Sequence, residues 1–186
     1  MTRGFTTRPV FHCREGVVAA GHYLAAAAGH RVFLGGGNAI DAAAAASFAL
    51  TVVEPHLNGL AGEVPILIHS AREGRVVAIS GQGPAPALMT IEHMKTLGLD
   101  RVPGDGLLPA TVPALVDAWI VALRHYGSRP LAEVLEPAIE LAERGWAAQH
   151  TLVNALRANA TRFREEWPET ARVFLPGGEV PAVGSR

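Results

Sequence analysis

Between Gly35 and His69 the chain runs from a glycine triplet into an alanine-rich stretch, then through a turn into an apolar segment. Asn38 follows the glycines and Asp41 stands three residues later, the spacing of a helix start with reciprocal capping. Six of the eight positions from Ala39 to Ala46 are alanine. Alanine is the strongest helix former, and a helix with no bulk on any face lets its neighbours come close. Such a helix belongs inside a layered fold rather than on its surface. Pro55 stops it, Asn58-Gly59 turns the chain, and Ile66-Leu67-Ile68 begins a strand. The rest of the chain is expected to pack around this unit.

At 186 residues the chain is long enough for one domain with a sizeable core. The residues are 49% hydrophobic and 18% charged, the balance of a globular protein rather than a disordered one. Net charge is −1, and the arginines are spread along the chain with Lys95 as the single lysine. No basic patch forms, which argues against nucleic acid as a partner. One cysteine, Cys13, rules out an internal disulfide framework and a Cys-rich metal site; a free or buried inert thiol is expected. The first sixteen residues contain no apolar core of signal-peptide length, and the run Leu24–Ala28 is too short to span a membrane. A cytoplasmic protein without membrane contact is the expectation.

Residues 1–15 read as an irregular arm. Residues 16–28 read as an extended piece passing into a helix that Gly29 or Gly35 caps. Residues 65–70 and 75–80 form two β-type runs at hairpin spacing, apolar on both faces as in a sheet covered on both sides. Gly81 to Pro86 is a loop, residues 90–97 a short helix capped by Thr90, and Pro103 to Gly106 another loop. Three helices follow, over 113–126, 130–144 and about 148–167. Val112, Leu115, Val116, Trp119, Ile120 and Leu123 make an apolar stripe on the first, and Leu131, Val134, Leu135, Ala138, Ile139 and Leu141 on the second; both are expected in the core. The last stretch, VFLPGGEVPAVGSR, has no evident cap or closing element. Two β-type runs followed only by helices do not complete a sheet, so a fragment of something longer is expected.

Few residues point to chemistry by themselves. The eight histidines show no HExxH and no close pairing, so no metal site is expected. Ser47 lacks a GxSxG context. Gly35 to Gly37 could hold an anion at the following helix start, as in a phosphate-binding module, but without a P-loop lysine tight turning explains the glycines better. Glu54 and Glu63, nine residues apart across a turn, form at best a weak acid/base pair; capping or ion pairing explains them equally well.

Several motifs in order are more specific. GGNAIDAA (Gly36–Ala43), VVEPH (Val52–His56), NGLAGE (Asn58–Glu63), GPAP (Gly83–Pro86), LLPATVPALVDAW (Leu107–Trp119) and the helix from Leu131 to Gly145 follow one another. Together they resemble the large subunit of the γ-glutamyltranspeptidase family, the Ntn-hydrolase proenzymes. The resemblance covers the chain from about Gly16 onward.

The resemblance implies an α/β (α+β) fold: part of an αββα sandwich, to which residues 1–186 contribute the N-terminal portion of the large-subunit domain, mostly helices with a few strands. It implies a proenzyme that cuts itself, and a small subunit whose new N-terminal Thr is the nucleophile with its own α-amino group as base. That Thr is expected beyond residue 186, so no catalytic residue is expected in this chain and the chain alone should be inactive. No cofactor is implied. The implied partners are a small-molecule amide substrate, such as the γ-glutamyl bond of glutathione, and the small subunit, with a homo-oligomer of the processed heterodimer as a further expectation.

Two positions depart from the family pattern, and both are candidate substrate-binding residues. Gln82 stands where members acting on γ-glutamyl substrates carry an Arg, and a neutral amide cannot replace a bidentate guanidinium–carboxylate pair. Glu63, with Pro65, stands in a run that is otherwise mostly glycine and then Phe; its carboxylate disfavours an anionic substrate. An amidase or acylase with a substrate other than glutathione is the expectation. A truncated, non-catalytic paralogue that binds a partner along an exposed sheet edge is the alternative.

Overall fold

Asn38 opens helix α2 (Ala39–Val53) as a capping box in the computed structural model, which describes residues 10–186. The Asn38 Oδ1 accepts from the amides of Ile40 and Asp41 at 2.8 and 3.1 Å, and the Asp41 carboxylate accepts from the Asn38 amide at 2.8 Å. The first free amides of α2 are thereby satisfied within the helix itself. An anion at Gly35–Gly37 would find those donors taken. Of the irregular arm expected over 1–15, positions 1–9 lie outside the described residues, and 10–15 run without regular structure.

Helix α1 (Tyr23–Leu34) packs lengthwise on α2. It ends at Gly35, not at Gly29. Gly36 takes a φ of +87° and donates to Phe33 O, while Gly37 donates to Val32 O, the paired bonds of a Schellman motif. Gly29 instead lies buried inside the helix. A Cβ there would sit 2.5 Å from the Ala42 carbonyl oxygen and 3.2 Å from the Ala46 Cβ. The glycine is thus the contact point at which α1 and the alanine face of α2 approach, and the alanine run is explained by that seam.

The hairpin follows: β1 (Val64–Ser70) and β2 (Arg75–Gly81) pair antiparallel from Val64 opposite Gly81 to Ser70 opposite Arg75. Ile66 and Ile68 are buried, while Leu67 on the other face is 77% exposed and Val76 63%. The expectation of a sheet covered on both sides is therefore corrected: among the described residues, helices cover one face only. The short helix α3 (Ile91–Thr96) starts at Thr90, whose hydroxyl accepts from the His93 amide at 3.1 Å.

Helices α4 (Leu115–Tyr126) and α5 (Leu131–Arg144) lie where helical periodicity puts them. Leu115, Trp119, Leu123 and Val134 join the main core with Phe48, Ile66 and Ile68. Val112 and Val116 from one stripe and Ile139 from the other are exposed, so the core takes only part of each. Helix α6 (His150–Glu166) stops at Trp167, where Pro168 begins a separate helix α7 (Pro168–Phe174). These two build a second, smaller core from Leu152, Leu156, Ala160 and Leu175. The terminal stretch is tied down after all: Ala148 N donates to Ser185 O and Gly184 N to Ala148 O, both at 2.8 Å. Among the described residues the result is a mostly helical α+β architecture around one two-stranded antiparallel sheet.

Asp41 joins these pieces. Its carboxylate, with no solvent exposure, also accepts from the Ser128 amide at 3.0 Å, the Ser128 hydroxyl at 2.6 Å and the Arg129 amide at 3.2 Å. Removing it strands several buried donors at once. Asp41→Ala is expected to cost about 3 kcal/mol or more in urea unfolding of the purified protein. A loss under about 1 kcal/mol would show that the network contributes little.

Candidate functional site

The open end of the hairpin is where the chain gathers its loops. β1 and β2 separate beyond the Val64–Gly81 pair, so Glu63 and Gln82 leave the ladder opposite one another. Both side chains are exposed. The register of the hairpin thus places the two sequence-predicted residues one position past the ladder, at the mouth between the strands.

Backbone contacts fix the mouth. The loop after α2 turns at Glu54, whose carbonyl accepts from the amides of Leu57 and Asn58 at 2.9 and 3.0 Å. It ends with the Gly62 carbonyl, which accepts from Leu115 N at 3.0 Å and so satisfies the start of α4, where Ala114 offers no side-chain cap. On the other strand, Val112 N donates to Pro84 O at 3.0 Å. The glycines on either side of Gln82 allow these approaches. A Cβ on Gly81 would lie 2.2 Å from Val64 O and 2.7 Å from the Ala118 Cβ; one on Gly83 would lie 1.6 Å from Val112 O. Gln82 is therefore held between two positions that admit no side chain.

The remaining candidates separate. Ser47 is structural: its Oγ accepts from the Trp119 indole at 2.9 Å and joins α2 to α4. Cys13 is exposed rather than buried. Glu54 and Glu63 sit in different surroundings, the first 9% exposed against Gly21 and the second at the open mouth. That does not make an acid/base pair. No group of three or more His, Cys, Asp or Glu side chains converges as a metal site among the described residues.

Two clusters have no counterpart in the sequence reading. His22 is 2% exposed, and burial pushes its imidazole below the ordinary histidine range against the opposing pull of the Glu54 carboxylate. Arg162 on α6 bonds Asp105 and Glu166 and lies 4.3 Å above the Trp167 ring. The hydrogen bonds from Arg162 hold the Asp105 carboxyl below its usual range. Beside it is a cavity of about 350 Å³ between α6, α7 and the loop at Pro55-His56, walled by Leu156, Phe163 and Phe174. Asp105 reaches Arg162, and Trp146 reaches His22, from far away in the sequence, and that part of each cluster has no local pattern to announce it.

The sequence profile of the Gamma-glutamyltranspeptidase family matches residues 25–186. Acylase ACY 1 proenzyme from Pseudomonas sp. (strain SE83) is 41% identical over 181 residues, covering 92% of this chain and 32% of the relative. Among solved structures, LmbA2991HD superposes with a TM-score of 0.90 at 47% identity, covering 97% of this chain and 31% of that one. The cephalosporin acylase from Bacillus halodurans superposes with a TM-score of 0.84 at 34% identity, over 99% of this chain and 36% of that one. The chain therefore spans about a third of the length of these relatives.

The glycine constraint at the mouth is open to test. Gly83→Ala pushes a methyl into the Val112 carbonyl and is expected to lower stability by about 2 kcal/mol or more. Thermal unfolding checks it; a variant as stable as the parent would mean that the 107–114 segment yields freely.

Proposed function

The chain belongs to the gamma-glutamyltranspeptidase family, and on that premise we propose that it is the N-terminal portion of the large subunit of a self-processing amide hydrolase or acyltransferase. In this reading a downstream segment supplies an N-terminal Thr. Its hydroxyl oxygen attacks the amide carbonyl carbon while its α-amino group takes the hydroxyl proton and passes it to the departing amine. Water or an acceptor amine then releases the acyl group from the Thr ester. The two exposed strand side chains, Leu67 and Val76, support a second sheet of the same protein as the layer that covers this face.

The substrate reading rests on one observation: Gln82, locked between Gly81 and Gly83, and Glu63 both stand one position past the last pair of the hairpin ladder. A neutral amide donates and accepts single hydrogen bonds, whereas a guanidinium grips a carboxylate through two. The adjacent Glu63 repels an anion. We infer an acyl group without the free α-carboxylate of a γ-glutamyl donor, in keeping with relatives and neighbours that are named acylases.

In the full-length protein, Gln82→Arg is expected to raise kcat/KM for γ-glutamyl-p-nitroanilide by roughly tenfold or more, the worth of one charge-assisted pair. Glu63→Gln in the same background should add to it. High γ-glutamyl activity in the parent protein, or none gained by the arginine, would overturn the substrate assignment. The mass of the protein from its source cells tests the wider reading: a second polypeptide beginning with Thr is expected, and a lone unprocessed species would favour a binding role.

A further inference from the structure

After Gln82 and Gly83 the chain leaves the hairpin on a long excursion that carries α3 and is closed at its base, where Val112 N donates to Pro84 O at 3.0 Å. Little holds this excursion to the body. Its one buried side chain is Met94, while Leu88 is 83% exposed and Leu107 91%. Among the described residues neither hydrophobic core takes a member from it, and its backbone hydrogen bonds stay within 84–112. The side-chain bonds that reach it from outside come from Arg162 on α6. Both terminal nitrogens of that guanidinium donate to the Asp105 carboxylate, Nη2 to Oδ1 at 3.0 Å.

Arg162 is set for this contact by its own helix. Its Nε donates to Glu166, one turn further along α6, at 2.9 Å, and its guanidinium lies 4.3 Å over the Trp167 ring. An exposed ion pair ordinarily contributes little, because ordering two side chains cancels most of the attraction. Here one partner is already ordered, the other is a short Asp, and two N–H···O bonds join them. A segment with so few other contacts stays docked or detaches according to this tie. Asp105 and Arg162 also line the cavity at Pro55 and His56, so the excursion ends against the loop whose far end carries Glu63. We propose that residues 84–112 are a strap rooted at the mouth and latched to α6 by the Asp105–Arg162 pair, and that this latch sets how firmly the Gln82 side of the mouth is held. Asp105 and Arg162 are positioning residues: they act through the strap, which starts just past Gln82. The pair is exposed enough for salt to weaken it.

The link to the mouth rests on the function proposed above; the latch itself is tested without turnover. Lys95 and Arg101 are exposed on the strap, and trypsin cuts after them only when the surrounding chain is free to enter the protease. The rate of those cuts is followed in the full-length protein by fragment mass, with cuts after Arg124 in α4 and Arg144 in α5 as the measure of general unfolding. Asp105→Asn leaves α6 untouched and is expected to speed the strap cuts roughly fivefold, the scale of one exposed ion pair. Arg162→Gln should do the same, and the double variant should be no faster than either single one, since both remove one tie. In about 1 M salt, where the screening length falls to about 3 Å, the parent should approach Asp105→Asn and the variant should stay as it was. In a protein that turns over an amide, Asp105→Asn is expected to raise KM roughly threefold with kcat kept. Strap cuts no faster in Asp105→Asn, single effects that multiply in the double variant, or equal acceleration in α4 and α5 would overturn the latch. A strap that loosens while KM stays at the parent value would overturn its link to the mouth. Absent amidase activity would overturn the proposed function alone, and the cutting rates would still decide the latch.

Discussion

A carboxylate removed from water must find its donors inside the protein, and Asp41 finds them on two parts of the chain far apart in sequence. Asn38 supplies one from the same helix turn, and Ser128 and Arg129 supply three from the link between α4 and α5. The positive end of the α2 dipole favours the charge at that place. Asn38 adds a second tie through its Nδ2, which donates to Tyr126 O at 2.7 Å, the last residue of α4. The position of α4 then sets the mouth: its first amide meets Gly62, and its Ala118 stands against Gly81. A single buried charge at the start of the alanine helix thus fixes where the hairpin opens.

The small-residue seam between α1 and α2 complements this arrangement. Alanine and glycine bury little apolar area each, and closeness of the two backbones replaces bulk. Larger side chains lie beside the seam, with Phe48 and Trp119 in the main core next to the alanines.

What the sequence made legible was local. The capping box at Asn38 and Asp41, the hairpin register and the cap at Thr90 all depend on residues a few positions apart. Gly29 stood beside Gly35 as a candidate cap because a glycine at a helix end and a glycine in a helix seam look alike until the neighbour is known. The face of the hairpin carrying Leu67 was misread for a similar reason, since periodicity reports apolarity and not what covers it. Pro168 did announce the break between α6 and α7, through the restriction a proline places on the residue before it, and that signal was passed over. His22 gave no signal at all: its surroundings come from Glu54 and Trp146, which the chain brings up only after folding.

The mouth is framed by main-chain groups: the Gly62 carbonyl, the Pro84 carbonyl, and glycines at 81 and 83. Side chains at 63 and 82 project from that frame and carry none of its hydrogen bonds among the described residues. Evolution can therefore exchange them without refolding anything. A scaffold of this kind separates what the fold must keep from what is free to drift.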